Sequence, residues 1–252
     1  LKMKKFKFYI LVFICMVLQI KTFAQNEINL DNLYTTLNIS LDKVVKELVI
    51  VKLFPTDSSS SIIVIPVKNE DEIDDLTADM HLLKINHKTG KILCHNLFDN
   101  ILLNDAIRLY AIQIDTMLYQ IKENENAFAI KLHYTNDSRS AGYIGEELLL
   151  FEERDNSFIL ILRLDNINEN IWYGGGDCEN TEIYNKKSTF IIDTMSSKNG
   201  YFNIIEDIYF EHYYLDKDCE DSKKKNIKNL RNVYEFIDNS YICIGERKTG
   251  FK

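Results

Sequence analysis

The feature that most constrains the fold is a succession of short apolar runs, rich in Ile, Leu, Phe and Tyr, that are separated by polar turn groups. The runs cover residues 62–65, 80–86, 91–98, 106–115, 127–134, 146–152, 157–164, 188–195, 201–215, 231–237 and 241–244. They do not alternate with helical patterns, as the strands of a parallel sheet would. No fixed repeat favours a propeller or solenoid. The sequence therefore predicts an all-β fold, with an antiparallel sandwich as the first choice and a barrel as the second.

Local patterns place individual strands and turns. His87–Gly90 separates two apolar runs and is typical of a hairpin turn with Gly90 in the left-handed conformation. In Ala127–Tyr134 the even positions are large and apolar, which predicts a strand with one buried face. Polar groups at 155–156 and 198–200 are further turn candidates.

The segment before the strands differs in character. Ser40 is a candidate N-cap for a short helix over residues 41–48, and residues 55–61 form a polar break. We therefore expect an N-terminal extension over residues 25–60 that contains this helix, followed by one β-rich domain over residues 61–252.

The first 24 residues have the pattern of a signal peptide. Four lysines precede a 13-residue apolar run, and a small residue, Ala24, closes the segment. The alternative, a membrane anchor, needs roughly 20 apolar residues. Cleavage would remove five lysines and no acidic residue, which changes the net charge from -8 to -13. We expect a periplasmic or extracellular protein that neither stays inserted in a membrane nor binds nucleic acid.

Four cysteines would remain after cleavage. Cys178 and Cys219 lie in polar, loop-like segments and are candidates for a disulfide in an oxidising compartment. Cys94 and Cys243 lie in apolar runs and are expected to be small buried residues, although they can also pair with each other. No closely spaced cysteine pair indicates a zinc site.

Metal and catalytic signals are weak. His81, His87 and His95 cluster in one hairpin, but His87 at the turn lies too far from His81 for all three to share an ion. Asp216, Asp218 and Glu220 begin like a calcium loop, yet the later positions of that loop do not match. Neither a nucleophile elbow nor a zinc-protease helix motif occurs. We predict no metal or other cofactor and no catalytic residue.

One segment and three aromatic residues suggest a recognition surface. Arg139 follows a predicted strand, and with Tyr143, Trp172 and Tyr173 it makes a candidate ligand-binding patch, because Arg and large aromatic residues dominate binding hot spots. The alternative interpretation is that the tyrosines and the tryptophan cap the core of the sandwich.

The order of several short motifs resembles an uncharacterised family of secreted, β-rich proteins of Bacteroidetes and related Gram-negative bacteria. The motifs include residues 62–66, 88–92, 105–107, 127–128, 133–134, 138–139, 174–175 and 199–204. The resemblance implies export and a cysteine in each of two late loops, and it carries no activity. Gly142 stands where that family leads us to expect Pro.

These observations favour an exported, non-catalytic binding or envelope protein. Its partner would be a protein or a cell-envelope glycan. The alternative is a secreted hydrolase whose two carboxylates come from distant strands, since glycosidases need two carboxyl groups about 5–10 Å apart.

Overall fold

The computed structural model describes residues 28–55, 57–69, 77–102, 107–136, 138, 141–174, 181–215 and 221–248. These residues form twelve strands in two antiparallel sheets, with one α-helix, α1 (Leu30–Thr36), and a 3-10 turn at Lys46–Leu48. Both sheets are open, with β1 and β4 at the edges of the first and β5 and β12 at the edges of the second. The predicted all-β sandwich is confirmed.

Within each sheet, every strand pairs with its neighbours in sequence. The first sheet contains β1 (Ile50–Phe54), β2 (Asp57–Lys68), β3 (Ala78–Asn86) and β4 (Ile92–Leu102). The second contains β5 (Arg108–Gln120), β6 (Asn126–Asn136), β7 (Ala141–Arg154), β8 (Ser157–Tyr173), β9 (Glu182–Lys198), β10 (Tyr201–Leu215), β11 (Asp221–Ile237) and β12 (Ser240–Lys248).

Short turns with positive φ connect several of these strands. The two-residue turns at 155–156, 199–200 and 238–239 have positive φ at both positions, and each contains an asparagine. Such turns match the twist of paired strands and favour Asn, Asp and Gly. Gly90 has φ 69°, as its place in the predicted hairpin turn requires. The turn predictions at Gly90, 155–156 and 198–200 are confirmed.

A first core lies between the two sheets. Met80 and Leu82 of β3 and Phe128 and Phe151 of the second sheet are at most 2% exposed there. The rings of Phe128 and Phe151 lie 5.7 Å apart, and Phe158 packs edge-on against Phe128. The even positions of β6 supply this core, as the alternation predicted.

A second core lies on the opposite side of β6, so the prediction of one buried face for this strand is incomplete. Ala127 and Ala129 are also buried, and they share this core with Tyr201, Phe236 and Tyr241. The end of the second sheet thus folds back over β6, and the Phe202 N–H donates to the Ile121 carbonyl at 2.8 Å. The small alanine side chains leave room for the aromatic rings.

The N-terminal segment contains a helix, as predicted, but the helix covers residues 30–36 and not residues 41–48. Asn29 caps α1 and accepts a hydrogen bond from the Asn32 N–H at 3.1 Å. The Ser40 hydroxyl instead bonds the Asp42 carboxylate. Val44 pairs with β2 through an isolated bridge to Val67. Burial and pairing of this β-branched segment outweigh its weak helix propensity.

The predicted polar break at residues 55–61 is also wrong over most of its length. Residues 57–61 form the first part of β2, which runs across the predicted boundary at residue 60. Ser60 and Ser61 are buried, and the Asp57 carboxylate accepts hydrogen bonds from Ser59 and Ser60. Side-chain hydrogen bonds therefore satisfy this polar segment within a strand.

The cysteines fall into three situations. Cys94 is a buried, free thiol whose pKa burial raises to about 11. Cys243 is also free but exposed, so the expectation that it is buried is wrong. It lies on β12, an edge strand with only one neighbour. Cys178 and Cys219 lie outside the described residues, and their bridge stays a prediction.

Candidate functional site

A cleft opens on the second sheet where the first core ends. Phe128, Ile130 and Leu132 of β6 face that core, and the next residues on the same face, Tyr134 and Asn136, line the cleft. The cleft has a volume of about 510 Å³. Its lining comes from β6, β7, β8 and the residue before β5, and includes Ile107, Tyr134, Asn136, Tyr143, Glu147, Asn166, Glu169, Ile171 and Tyr173.

A glycine in β7 positions Tyr143 in this cleft. A Cβ atom on Gly145 would lie only 2.0 Å from the Tyr143 hydroxyl oxygen, so the ring occupies the space that a side chain would fill. The Tyr143 hydroxyl donates to Asn166 Oδ1 at 2.7 Å. Asn166 has φ 55° and lies where the register between β7 and β8 shifts. The shift brings its amide under the tyrosine.

Two carboxylates face the same cleft. Burial raises the pKa of Glu147, although Arg163 Nη2 lies 3.0 Å from its carboxylate. Burial also raises the pKa of Glu169, against the attraction of Lys186. Burial and these two carboxylates raise the pKa of Tyr143 to about 12. The cleft therefore combines partly desolvated acids with a neutral phenol.

A second cleft of about 420 Å³ adjoins the first and shares Glu169, Ile171 and Tyr173 with it. The Tyr184 ring packs edge-on to Tyr173 at 5.9 Å and stacks on His212 at 4.2 Å. His212 Nε2 is buried without a hydrogen-bond partner in the described structure. We call the surface formed by both clefts the tyrosine groove; its tyrosines are Tyr134, Tyr143, Tyr173 and Tyr184.

No family model, curated protein or solved structure matches this chain. The resemblance to a secreted family therefore stays an expectation, and function has to be argued from the geometry. Among the described residues, no helix is long and apolar enough to cross a membrane. Within the same residues, no group of three or more potential metal ligands converges.

The structure separates the residues of the predicted recognition patch. Tyr143 and Tyr173 line the tyrosine groove together. Trp172 lies on the other face of the sheet, because adjacent strand residues point to opposite sides. Its indole covers Gly142, the residue paired with it across the strands, where an added Cβ would lie 1.8 Å from the ring. Arg139 lies outside the described residues.

Sequence reasoning missed Glu147, Glu169, Tyr184 and His212 as members of the site. Alternation offered a signal for one of them: Tyr143 and Glu147 are four residues apart on one strand and therefore share a face. Glu146, the residue before Glu147, points to the opposite face of the strand. Glu146 lies outside the tyrosine groove and accepts a hydrogen bond from Asn168 at 3.0 Å.

Two of the three clustered histidines meet, which the sequence analysis did not anticipate. His95 pairs with Leu83, which lies two residues from His81 on the same face of β3, and this places His95 diagonally across from His81. His81 Nδ1 lies 3.0 Å from His95 Nε2. Burial lowers the pKa of both imidazoles. Asp216, Asp218 and Glu220 of the rejected calcium loop lie outside the described residues.

Proposed function

We propose that this chain is an exported binding protein that holds its ligand in the tyrosine groove. The observation that carries the proposal is the continuity of the two clefts through Glu169, Ile171 and Tyr173. Concave surfaces that combine aromatic rings with a few convergent polar groups are the usual sites of ligand binding. Tyr173 and Tyr184 are 48% and 37% exposed, so their rings are available for contact.

The chemistry of the groove suits a cell-envelope glycan or a segment of another protein. Aromatic rings offer flat apolar surfaces, and the neighbouring carboxylates, amides and hydroxyls offer hydrogen bonds. A sugar ring presents both an apolar face and hydroxyl groups, and a polypeptide presents apolar side chains and amides. No part of this proposal requires a cofactor.

Export is part of the proposal and rests on the sequence. Lys2, Lys4, Lys5 and Lys7 precede the apolar run, and Ala24 ends the segment, as in signal peptides. The excess of acidic over basic residues, 38 against 30, disfavours nucleic acid as the partner. An envelope or extracellular location agrees with both features.

A second candidate function is glycoside hydrolysis. The observation that favours it is the pair Glu147 and Glu169, two carboxylates in one cleft whose pKa values burial raises. Such an enzyme needs one protonated acid and one ionised carboxylate. Arg163 beside Glu147 would favour the ionised form of that residue and leave Glu169 as the acid.

Substitution of Tyr173 by Ala should weaken ligand binding about tenfold, because an exposed aromatic anchor in a concave site is a typical hot spot. We would screen soluble peptidoglycan fragments and oligosaccharides by thermal unfolding and then measure affinities by calorimetry. The matched control is Tyr110→Ala. Tyr110 has the same 48% exposure and does not line the groove.

The same samples separate the two candidate functions. Release of new reducing ends by the wild type, and its loss in Glu169→Gln with binding retained, would favour hydrolysis. Binding without products would favour the binding protein. If Tyr173→Ala and Tyr110→Ala weakened ligand binding equally, the tyrosine groove would not be the binding site, and both candidate functions would be contradicted.

A further inference from the structure

The His81–His95 pair lies apart from the tyrosine groove, on the β3–β4 hairpin of the first sheet. The two imidazole planes are within 3° of parallel, and the ring centroids are 5.2 Å apart. With His81 Nδ1 and His95 Nε2 only 3.0 Å apart, one ring donates its N–H to the other. Two ring nitrogens thus converge on one small region of the surface.

This spacing is close to that of two ligands on one metal ion. Imidazole nitrogens bind zinc at about 2.0–2.1 Å, which puts two ligands at 90–109° about 2.9–3.4 Å apart. The rings have to turn so that both lone pairs face the ion. The terminal torsion of histidine is broad, which allows that rotation without changing the backbone.

The surroundings admit a cation. His95 is exposed on β4, an edge strand of the first sheet, so water can fill the remaining coordination positions. Asp79 and Asp99 add negative potential at His81. The backbone fixes the pair, because the register of β3 and β4 sets both positions.

We propose that His81 and His95 form a two-histidine site for a divalent transition-metal ion, of the class of Zn²⁺, Ni²⁺ or Cu²⁺. Imidazole nitrogen suits these ions, whereas Ca²⁺ and Mg²⁺ prefer oxygen ligands. For both facing nitrogens to bind the ion, the ring that carries the shared N–H changes tautomer, so that its proton moves through water to its other nitrogen and both imidazoles stay neutral. Because the site lies on the first sheet, it does not depend on a ligand in the tyrosine groove.

The test uses untagged protein obtained by expressing the full chain and treated first with EDTA. Addition of NiCl₂ or ZnCl₂ should raise the unfolding midpoint by a few degrees, since an ion that binds only the folded form stabilises it. MgCl₂ should not. His81→Gln and His95→Gln should each remove most of the rise. His87→Gln, in the same hairpin, should keep it.

Isothermal titration of the same four proteins with NiCl₂ provides a second readout, and it reports on folded variants even where a substitution lowers stability. The proposal predicts one Ni²⁺ site in the wild type and in His87→Gln. It predicts that this site is lost in His81→Gln and in His95→Gln. No site in the wild type would overturn it. Unchanged binding by His81→Gln and His95→Gln would overturn it as well.

Discussion

Substitution of Phe151 by Ala should lower the free energy of unfolding by about 3–5 kcal/mol, the range found for removal of a buried aromatic ring. Phe151 has no exposed surface and contacts the rings of Phe128 and Phe98. Phe98 belongs to β4 and Phe151 to β7, so the residue joins the two sheets. Urea unfolding of both proteins measures the difference.

The control for this prediction is Leu97→Ala, a neighbour of Phe98 that is 47% exposed. We expect it to change the free energy of unfolding by at most about 0.5 kcal/mol, as for other surface substitutions. A loss below about 1 kcal/mol for Phe151→Ala would contradict the packing of the first sheet over β6 and β7.

The second large effect concerns a buried carboxylate in the second core. Glu152 is 1% exposed, and Lys122 Nζ and Arg154 Nη2 lie 2.9 and 2.5 Å from its oxygens. The Tyr201 hydroxyl donates to it at 2.9 Å. Glu152→Gln removes the charge that both cations face, and should cost about 2–3 kcal/mol at pH 7.

The stabilisation by Glu152 should also depend on pH, in a direction that follows from its pKa. Burial alone would raise the pKa of Glu152, but hydrogen bonds from Lys122, Arg154 and Tyr201 outweigh it and hold the pKa below its ordinary value. The stabilisation is therefore complete above the ordinary pKa of about 4.3 and is lost as the pH falls through the lower, folded-state pKa. The difference between wild type and Glu152→Gln should shrink over that acidic range.

Glu153→Gln is the matched control, because Glu153 is the next residue and lies on the opposite face. Its carboxylate is 2.8 Å from Lys84 Nζ and is 28% exposed, so we expect a cost of at most about 1 kcal/mol. Two results would contradict the account of the buried cluster. One is an equal loss of unfolding free energy in Glu152→Gln and Glu153→Gln, and the other is a loss in Glu152→Gln that grows as the pH falls.

The strands were predictable because two independent signals agree. Alternation in residues such as Phe128, Ile130 and Leu132 fixes one face of β6, and turn residues such as Asn199 and Gly200 fix where strands end. The position of α1 was not predictable in the same way. Its cap at Asn29 and the bridge at Val44 depend on packing over the first sheet.

The site was only half predictable, for a physical reason. Tyr143 and Tyr173 were identified because they are large aromatic residues. Their neighbours in the groove come from strands whose register no sequence pattern sets. Glu169 reaches the groove because it is paired with Gly145 and Lys186. Near Asn166 the pairing moves by two residues, from Leu148–Leu164 to Glu146–Asn168, and no pattern in the sequence indicates that insertion.

Hydroxyl-radical footprinting tests the central claim, ligand binding in the tyrosine groove, most directly. The protein would be exposed to radicals alone and with soluble peptidoglycan fragments or a solubilised envelope fraction, and oxidation of each tyrosine read by mass spectrometry. We predict that Tyr173 and Tyr184 are protected by the ligand, whereas Tyr110 is oxidised equally in both states. Protection of Tyr110 with full oxidation of Tyr173 and Tyr184 would contradict the account.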